Sequence, residues 1–474
     1  MFNRADAVGH VARARQAVRP FLVFVLLMVA MMMPAMRSWA QSTNTGPGAL
    51  PEILNAIPPG TDYYPPPPPV THLLQGEVGR WRETLADKGV NLLIDDWSEF
   101  AGNLSGGTRK AQDFAGQVAV EVDLDWNKIL HIPDFTTTIT AVQRHGRRLS
   151  TDALQDGIVN PEQIYGGGGN VVIHLVYFYA QKKWMHGRVI LTMGRYAPGP
   201  DFDSSPLQCL VMGQATCSQP RATTLTDGYS SWPGTVWSAM LRVRPTTPTY
   251  LTFGAYETSP IKGGTAGTDW GGDHITGVTL AIGGGYEPVF GPHRLNGHYK
   301  AGMLWDSSPH AYNVPADDGA TRWRHGQMIS YIACDQMVLR NGPYSDSGVI
   351  IQGGYTHVTS AISVVSDQAY VGLIDVGQFP GRPRDALGMT WSTLRYGPNV
   401  KSIWQPSATA YTPDPLAPNM PLLASRESIF DITYNFHLRD GIDLAPDFQY
   451  FWRPGGSGRV PNATILGINF HAIL

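Results

Sequence analysis

The chain ends on the stretch Thr464-Ile465-Leu466-Gly467-Ile468-Asn469-Phe470-His471-Ala472-Ile473-Leu474, which decides its fold class. Leucine, isoleucine, phenylalanine and alanine at the even positions from 466 to 474 share one side of an extended strand. A period of two is the strand period, and the length is about that of one bilayer-crossing β-strand. An unpaired apolar edge invites aggregation, whereas the last strand of a closed barrel pairs with the first. The stretch therefore predicts an outer-membrane β-barrel.

The same alternation recurs upstream, in residues 118–126, 428–438 and 442–452. Aromatic residues at the ends of these segments (Trp126 and Trp452) are typical of the girdle at a membrane interface. From Val90 onward the pattern indicates strands and no helix. Long segments rich in Gly, Pro, Asp and Ser alternate with short turns, as in the two ends of an outer-membrane barrel. These long segments are residues 197–233, 258–273, 307–319 and 409–427. A soluble β-sandwich, which also alternates, is the competing interpretation of the pattern.

Composition supports the barrel. The 474 residues are only 15% charged, against a usual ~25%, and no uninterrupted apolar window reaches the ~18 residues of a membrane helix. A β-barrel spreads its apolar residues over alternate positions instead.

The N-terminus predicts a secretory signal peptide over residues 1–40. A basic segment with four arginines precedes an apolar run from Phe21 to Met33, and Ser38-Trp39-Ala40 is a small-x-small cleavage site. A membrane anchor is the alternative, but the run is short and ends at Pro34. Cleavage before Gln41 would leave 30 basic and 37 acidic residues, a net charge of −7. This acidic balance argues against nucleic acid as a partner.

Residues 41–70 are a Pro-rich segment that ends in five consecutive prolines, which favour polyproline II structure. Residues 71–474 are then the barrel domain. Apolar residues at helical spacing from His72 to Lys88, followed by Gly89, predict one short helix at the periplasmic mouth.

Three cysteines are present. Because an exported chain reaches an oxidising space, Cys209 and Cys217, which flank a short Gly-containing segment, are a candidate disulfide. Cys334 lies in a strand-like run and is interpreted as a buried or lipid-facing side chain. No Cys/His spacing predicts a metal site, and no cofactor is expected.

An ordered set of blocks resembles the carbohydrate-selective porins of the OprB type. Among them are Glu99-Phe100-Ala101-Gly102-Asn103, Asp201-Phe202-Asp203-Ser204-Ser205-Pro206-Leu207 with the two cysteines after it, and Phe379-Pro380-Gly381-Arg382-Pro383-Arg384-Asp385. The blocks run in family order over about residues 75–474. The resemblance implies a single-domain barrel of 16 strands and passive diffusion of glucose-like sugars across the outer membrane. Such barrels usually end in Phe, whereas this chain ends in Leu474.

A sugar channel needs donors and acceptors for hydroxyl groups, together with aromatic surfaces, and it must bind weakly. Carboxylate and guanidinium side chains at strand positions opposite apolar neighbours, or at the start and end of long segments, are therefore the candidate channel residues. They are Glu99, Glu121, Asp123, Arg195, Arg242, Asp335 and Arg382.

Two other functions stay open on the sequence alone. A general or ion-selective porin would lack sugar preference, although the mixture of both charge signs in the predicted lumen disfavours it. A barrel enzyme is disfavoured because neither Gly-x-Ser-x-Gly nor His-Glu-x-x-His is present. The expected partners are a carbohydrate and outer-membrane lipid, and the chain could be a monomer or a homotrimer.

Overall fold

A computed structural model describes residues 77–166, 171–217, 219–259, 274–340, 347–377, 379–400, 423–439 and 441–473. The predicted signal peptide (1–40), the Pro-rich segment (41–70) and Leu474 lie outside these residues. No helix in the described ranges is long and apolar enough to cross a membrane.

Strands dominate the described chain. They are β1 (Val90–Ser105), β2 (Gln112–Asp125), β3 (Phe135–Gly146), β4 (Val171–Trp184), β5 (Val189–Tyr196), β6 (Val236–Thr246), β7 (Thr249–Thr258), β8 (Gly277–Tyr286), β9 (Val289–Phe290), β10 (Leu295–Ala311), β11 (Trp323–Arg340), β12 (Gly348–Val358), β13 (Val365–Val376), β14 (Ala386–Tyr396), β15 (Arg426–Arg439), β16 (Ile442–Trp452) and β17 (Ala463–Ile473). The α-helices are α1 (Glu77–Asp87), α2 (Trp126–Leu130), α3 (Gln163–Gly166) and α4 (Arg221–Thr224).

The sheet closes on itself. Neighbouring strands pair in antiparallel fashion around the ring, and β1 pairs with both β2 and β17. The two-residue β9 only extends the pairing at the start of β10, while β8 pairs with β10 directly. Sixteen long strands therefore form the wall of the barrel within the part of the chain that the structure describes, which confirms the predicted fold class.

The terminal strand has the two sides that its sequence predicts. Leu466, Ile468 and Phe470 are 46%, 39% and 38% exposed on the outer face, whereas Ile465 and Asn469 are buried inside. Ala472 shares the side of the exposed residues but is itself buried. At one end of the predicted aromatic segments, Trp452 stacks on Trp391 with ring centroids 5.2 Å apart.

The prediction of no helix after Val90 was wrong at several short segments of the described chain, three of which are the α-helices α2, α3 and α4. Trp126, predicted to end a strand, begins α2 because the Asp125 side chain accepts a hydrogen bond from the Asn127 backbone N–H at 3.0 Å. Helices α3 and α4 belong to the long connections described below. The segment predicted as a loop from residue 307 is strand as far as Ala311.

The two ends of the barrel differ as predicted. Helix α1 lies at the end that carries most of the short turns, among them residues 185–188 and 247–248. Gly89, with a φ of +90°, links α1 to β1, and the Arg82 guanidinium donates to the Leu92 carbonyl at 2.8 Å. The long connections that contain residues 147–166, and 197–217 with 219–235, leave from the opposite end.

The outer face of β17 provides a test of the fold. We expect Ile468→Arg to lower the free energy of unfolding by about 2–4 kcal/mol, because a charge there would face hydrocarbon at mid-strand. Thr464→Arg, on the same side near the strand end, is the matched control, with an expected cost of about 0–1 kcal/mol. Heat-modifiable electrophoretic mobility and denaturant titration in lipid bilayers measure both. Equal losses for the two variants would contradict the outward orientation of this face.

Candidate functional site

Two long connections fold into the barrel. We call residues 147–166 the first lumen loop, and residues 197–217 with 219–235 the second lumen loop. The side chains of both loops are mostly buried, although loops usually lie on the surface. Their partners, given below, are inward-facing groups of strands from different parts of the wall.

The middle of the second lumen loop is attached to β15. The Gly213 N–H donates to Asp431 Oδ2 at 2.8 Å, and the Met212 N–H donates to Thr433 Oγ1 at 3.1 Å. The Asn435 amide donates to the Leu210 carbonyl at 3.0 Å. The approach is close because Gly467 of β17 lacks a side chain, since a Cβ there would collide with the Met212 side chain.

The start of the same loop is attached to other strands. Arg242 of β6 forms an ion pair with Asp201 at 2.7 Å, and both side chains are buried. Thr356 of β12 donates to Asp203 Oδ2 at 2.8 Å. The wall strands β6, β12 and β15 lie in well separated parts of the ring. The second lumen loop therefore crosses the interior and narrows it.

Further bonds hold the loop between these points. Ser205 Oγ donates to Asp335 Oδ2 at 3.3 Å, and Asp335 also contacts His298 Nδ1 at 2.6 Å. Lys300 of β10 donates to the Ser204 carbonyl. The Ala222 N–H donates to Gln368 Oε1 of β13 at 2.8 Å.

The first lumen loop covers another sector of the wall. The Ile164 N–H donates to Glu99 Oε2 of β1 at 2.9 Å, and Gln449 of β16 donates to the Pro161 carbonyl at 3.0 Å. The two loops also bind each other, because the Gln214 N–H donates to the Asn160 carbonyl at 3.0 Å. The loops thus form one hydrogen-bonded layer across the lumen.

Burial changes the acidity of the loop carboxyl groups. It raises the pKa of Asp203 to about 6, although hydrogen bonds from Thr223 and Thr356 oppose the shift. Burial also raises the pKa of Asp201, against the attraction of Arg242. The pKa of Glu162 lies well above its ordinary value because of burial and the nearby Glu99 carboxyl. The layer is therefore electrostatically costly and depends on its internal bonds.

Cys209 and Cys217 form a disulfide with a Cα–Cα distance of 4.2 Å. The bridge closes the loop segment that carries the Leu210, Met212 and Gly213 contacts to β15. It therefore restrains the part of the second lumen loop that lies against that strand. Cys334 is a free thiol exposed on the outer face of β11.

Five of the predicted channel residues have buried or partly buried side chains on the inner face. Glu99 binds the first lumen loop as described. Glu121 accepts from Thr140 Oγ1 at 2.9 Å, and Asp123 accepts from Thr138 Oγ1 at 2.6 Å. Arg242 and Asp335 both bind the second lumen loop.

The other two predicted residues lie elsewhere. Arg195 is buried, but its Cα is in register with Trp237, whose side chain points outward, and its guanidinium donates to Thr235 at the end of the loop. Arg382 is in the turn between β13 and β14, at the α1 end, where it forms an ion pair with Asp385 at 2.7 Å. Arg195 is therefore bonded to the end of the second lumen loop from a position off the inner face, whereas Arg382 lies in a turn away from both loops.

Several polar residues of the site were not predicted. Thr356, Gln368 and Gln449 bind the loops from the inner face, as does Lys300. The two-residue alternation of their strands predicts that these side chains face the interior. Which of the inward positions meets a loop depends on contacts between residues far apart in the chain, and no local pattern encodes these.

The chemistry that the layer offers is hydrogen bonding. Within the described ranges, no group of three or more His, Cys, Asp or Glu side chains is arranged to hold a metal ion. Hydroxyl, amide, carboxylate and guanidinium groups line a narrow interior, together with the buried rings of Tyr256 and Tyr331. Such a surface exchanges hydrogen bonds with a hydroxylated solute at low cost.

Comparison with known proteins agrees with this architecture. The family described as carbohydrate-selective porin, OprB family, matches residues 109–473. Porin B of Pseudomonas aeruginosa is 25% identical over 427 residues, which is 85% of this chain and 92% of that protein. The putative porin QuiX of Acinetobacter baylyi is 23% identical over 84% of this chain and 92% of that protein. The high-pH structure of Pseudomonas putida OprB superposes with a TM-score of 0.76 at 23% identity, covering 86% of this chain and 99% of that chain.

The raised pKa of Asp203 predicts a pH dependence of the loop. In the folded loop Asp203 keeps its proton up to about pH 6, whereas its ordinary value is 3.8. The packed loop is therefore most stable below pH 3.8 and loses up to about 3 kcal/mol as the pH rises through 6. We expect slower hydrogen exchange of the loop amides at pH 4.5 than at pH 7.5, after correction for intrinsic rates.

Asp203→Asn should remove much of this difference, because the amide mimics the protonated acid at every pH. Asp227→Asn, at an exposed aspartate of the same loop, is the control and should leave the difference unchanged. Loop protection that decreases on acidification would contradict the assignment.

Proposed function

This chain belongs to the carbohydrate-selective porin, OprB family, and we propose that its two lumen loops form the constriction that selects glucose-like sugars. As a member of that family with a closed barrel, it is an outer-membrane porin through which carbohydrates diffuse passively, and it is not an enzyme. Our proposal concerns the residues that form the constriction and the sugar that it prefers.

The observation that supports this proposal is the crossing of the lumen by the second loop. Its start is bound to β6 and β12, and its middle is bound to β15. A solute must pass along the polar surface of the loop. Since binding for transport must be weak, selection by several modest hydrogen bonds suits this surface.

Among the predicted residues, we assign Glu121 and Asp123 to the wall that the sugar passes, and Arg242, Asp335 and Glu99 to holding the loops. Thr140 and Thr138 orient the two wall carboxylates, which accept hydrogen bonds from sugar hydroxyl groups. We place Arg195 at the edge of the second lumen loop and Arg382 at the periplasmic mouth. Neither is assigned to the constriction.

We also propose that the exported chain begins at Gln41, after removal of residues 1–40, and that it carries the Pro-rich segment 41–70 into the periplasm. N-terminal sequencing of the protein purified from outer membranes should read Gln-Ser-Thr-Asn. Ala40→Leu should leave the larger precursor, because a bulky residue replaces the small one at the cleavage position. A purified chain that still begins at Met1 would contradict the signal peptide.

The functional unit is proposed to be a single barrel, whether the protein is a monomer or a homotrimer. The wall closes within one chain, so no second copy is needed to complete the pore. Native mass spectrometry from detergent distinguishes the two assemblies.

Liposome swelling with the mature protein tests the selectivity. We expect glucose to enter faster than its size predicts, relative to a disaccharide and to an amino acid of similar size. Glu121→Ala should slow glucose relative to the disaccharide. Arg242→Ala leaves Asp201 buried without its cation and should loosen the loop, so that the glucose preference falls by about fivefold, or roughly 1 kcal/mol.

Arg244→Ala is the matched control for Arg242→Ala. It breaks a similarly buried ion pair on the next inward position of β6, but the partner is Glu287 and not the lumen loop. If the solutes enter in order of size alone, the protein is a general porin and the proposed sugar selection is wrong. No swelling by a correctly inserted barrel would mean that the lumen layer closes the pore.

A further inference from the structure

The neighbouring strands β14 and β15 carry matching outward-facing side chains towards the end of the barrel opposite α1. Each series runs from an apolar residue through an aromatic ring and a hydroxyl group to an arginine. On β14 the series is Met389, Trp391, Thr393 and Arg395, and on β15 it is Ile432, Phe430, Ser428 and Arg426. Since aromatic side chains mark the boundary between hydrocarbon and water, the two arginines lie beyond it, at the level of the lipid headgroups.

Aromatic rings and hydroxyl groups separate the two arginines from the hydrocarbon. Trp391 stacks on Trp452 of β16 with ring centroids 5.2 Å apart, and the ring centroids of Trp452 and Tyr450 are 4.5 Å apart. Ser428 Oγ donates to Thr393 Oγ1 at 3.0 Å, so these two hydroxyl groups bond to each other across the strands. The aromatic surface therefore ends where the hydroxyl pair, and then the pair of arginines, begins.

Arg395 and Arg426 are directly opposite each other in the pairing of β14 with β15. The Arg395 side chain is 69% exposed and Arg426 is also exposed, so both guanidinium groups are accessible from outside the barrel. Directly opposed residues have Cβ atoms about 5 Å apart, and like charges at such positions destabilise a sheet. An anion bound between the two arginines removes this repulsion, and phosphate matches the paired N–H groups of a guanidinium.

One carboxylate, Asp367 of β13, lies beside Arg395, because their Cα atoms are in register. Its oxygens already contact the side chains of Tyr355, His357 and Ser366 at 2.6, 2.8 and 2.7 Å. Arg395 Nη1 is 3.9 Å from Asp367 Oδ2, which is beyond hydrogen-bond distance. An exposed ion pair at this distance stabilises little. Asp367 therefore leaves the N–H groups of Arg395 available to another acceptor.

We propose that Arg395 and Arg426 bind a phosphate group of a phosphorylated glycolipid in the outer leaflet of the membrane. The phosphate lies between the two guanidinium groups, and the acyl chains of the same lipid run along Trp391 and Met389 towards the middle of the bilayer. A free phosphate ion would leave this adjoining aromatic and apolar surface unused, which favours the lipid as the ligand. The site is on the outer face, so it is independent of the sugar selection proposed for the lumen.

Native mass spectrometry of the purified protein, released from detergent with added lipid, measures this binding. The two probes are diphosphoryl lipid A and the same lipid with both phosphates removed. We expect the wild type to bind the phosphorylated lipid more tightly. Arg395→Gln and Arg426→Gln should each weaken that binding roughly fivefold, the loss expected for one arginine at a charged membrane surface, and the double variant at least about tenfold. Binding of the dephosphorylated lipid should not change.

Arg322→Gln is the matched control. It removes another exposed arginine, which lies over the Tyr312 ring at 4.5 Å in the segment between β10 and β11, and its lipid binding should match that of the wild type. Heat-modifiable electrophoretic mobility shows whether each variant forms the folded barrel.

Three results would overturn the proposal. Equal affinity of the wild type for the two lipids, which requires no variant, would show that the phosphate is not recognised. Unchanged binding by the folded double variant would place the phosphate elsewhere. If inorganic phosphate alone binds the wild type as tightly as the phosphorylated lipid does, the arginines form a site for a soluble anion and the lipid assignment is wrong.

Discussion

The structure depends on one constraint, which is that a strand in hydrocarbon must find partners for all of its backbone hydrogen-bonding groups. The pairing of β17 with β1 meets this constraint, because it joins the two ends of the sheet over most of the length of the last strand. Once the ring is closed, successive residues of each strand point alternately to the outer and the inner face. The exposed Leu466, Ile468 and Phe470, the buried Glu121 and the partly buried Asp123 follow from the same rule.

Closure also creates the problem that the lumen loops solve. A ring of sixteen strands encloses an interior too wide to be filled by its own side chains. Two long connections enter it, and their backbone N–H and carbonyl groups bind inward-facing side chains such as Asp431, Thr433 and Gln449. The wall thereby acts as a set of hydrogen-bond partners for irregular backbone, which is tolerated at membrane depth only where protein or water surrounds it.

Charged side chains inside the barrel stabilise the lumen loops. The ion pair of Arg242 with Asp201 is almost fully buried, and a pair of this kind costs more when broken than it contributes when intact. Asp203 and Glu162 have raised pKa values for the same reason of burial. Because the charged groups of the loops are paired with one another or buried, the loops offer mainly neutral donors and acceptors to a solute. Such a surface suits sugars better than ions.

The sequence by itself determined the barrel and its family and predicts its export, because these depend on local or short-period patterns. Two-residue alternation in the last strand, the apolar run near the N-terminus and the ordered blocks around residues 99–103 and 201–207 can each be read within a few residues. The inward orientation of Glu121, Arg242 and Asp335 followed from parity as well. Only the tertiary structure decided which inward residues meet a loop, since Thr356 and Asp203 are 153 residues apart in the chain. It also placed Arg195 against Thr235 at the end of the second lumen loop and Arg382 in the turn between β13 and β14, because such contacts depend on how the closed sheet and the folded loops share the interior.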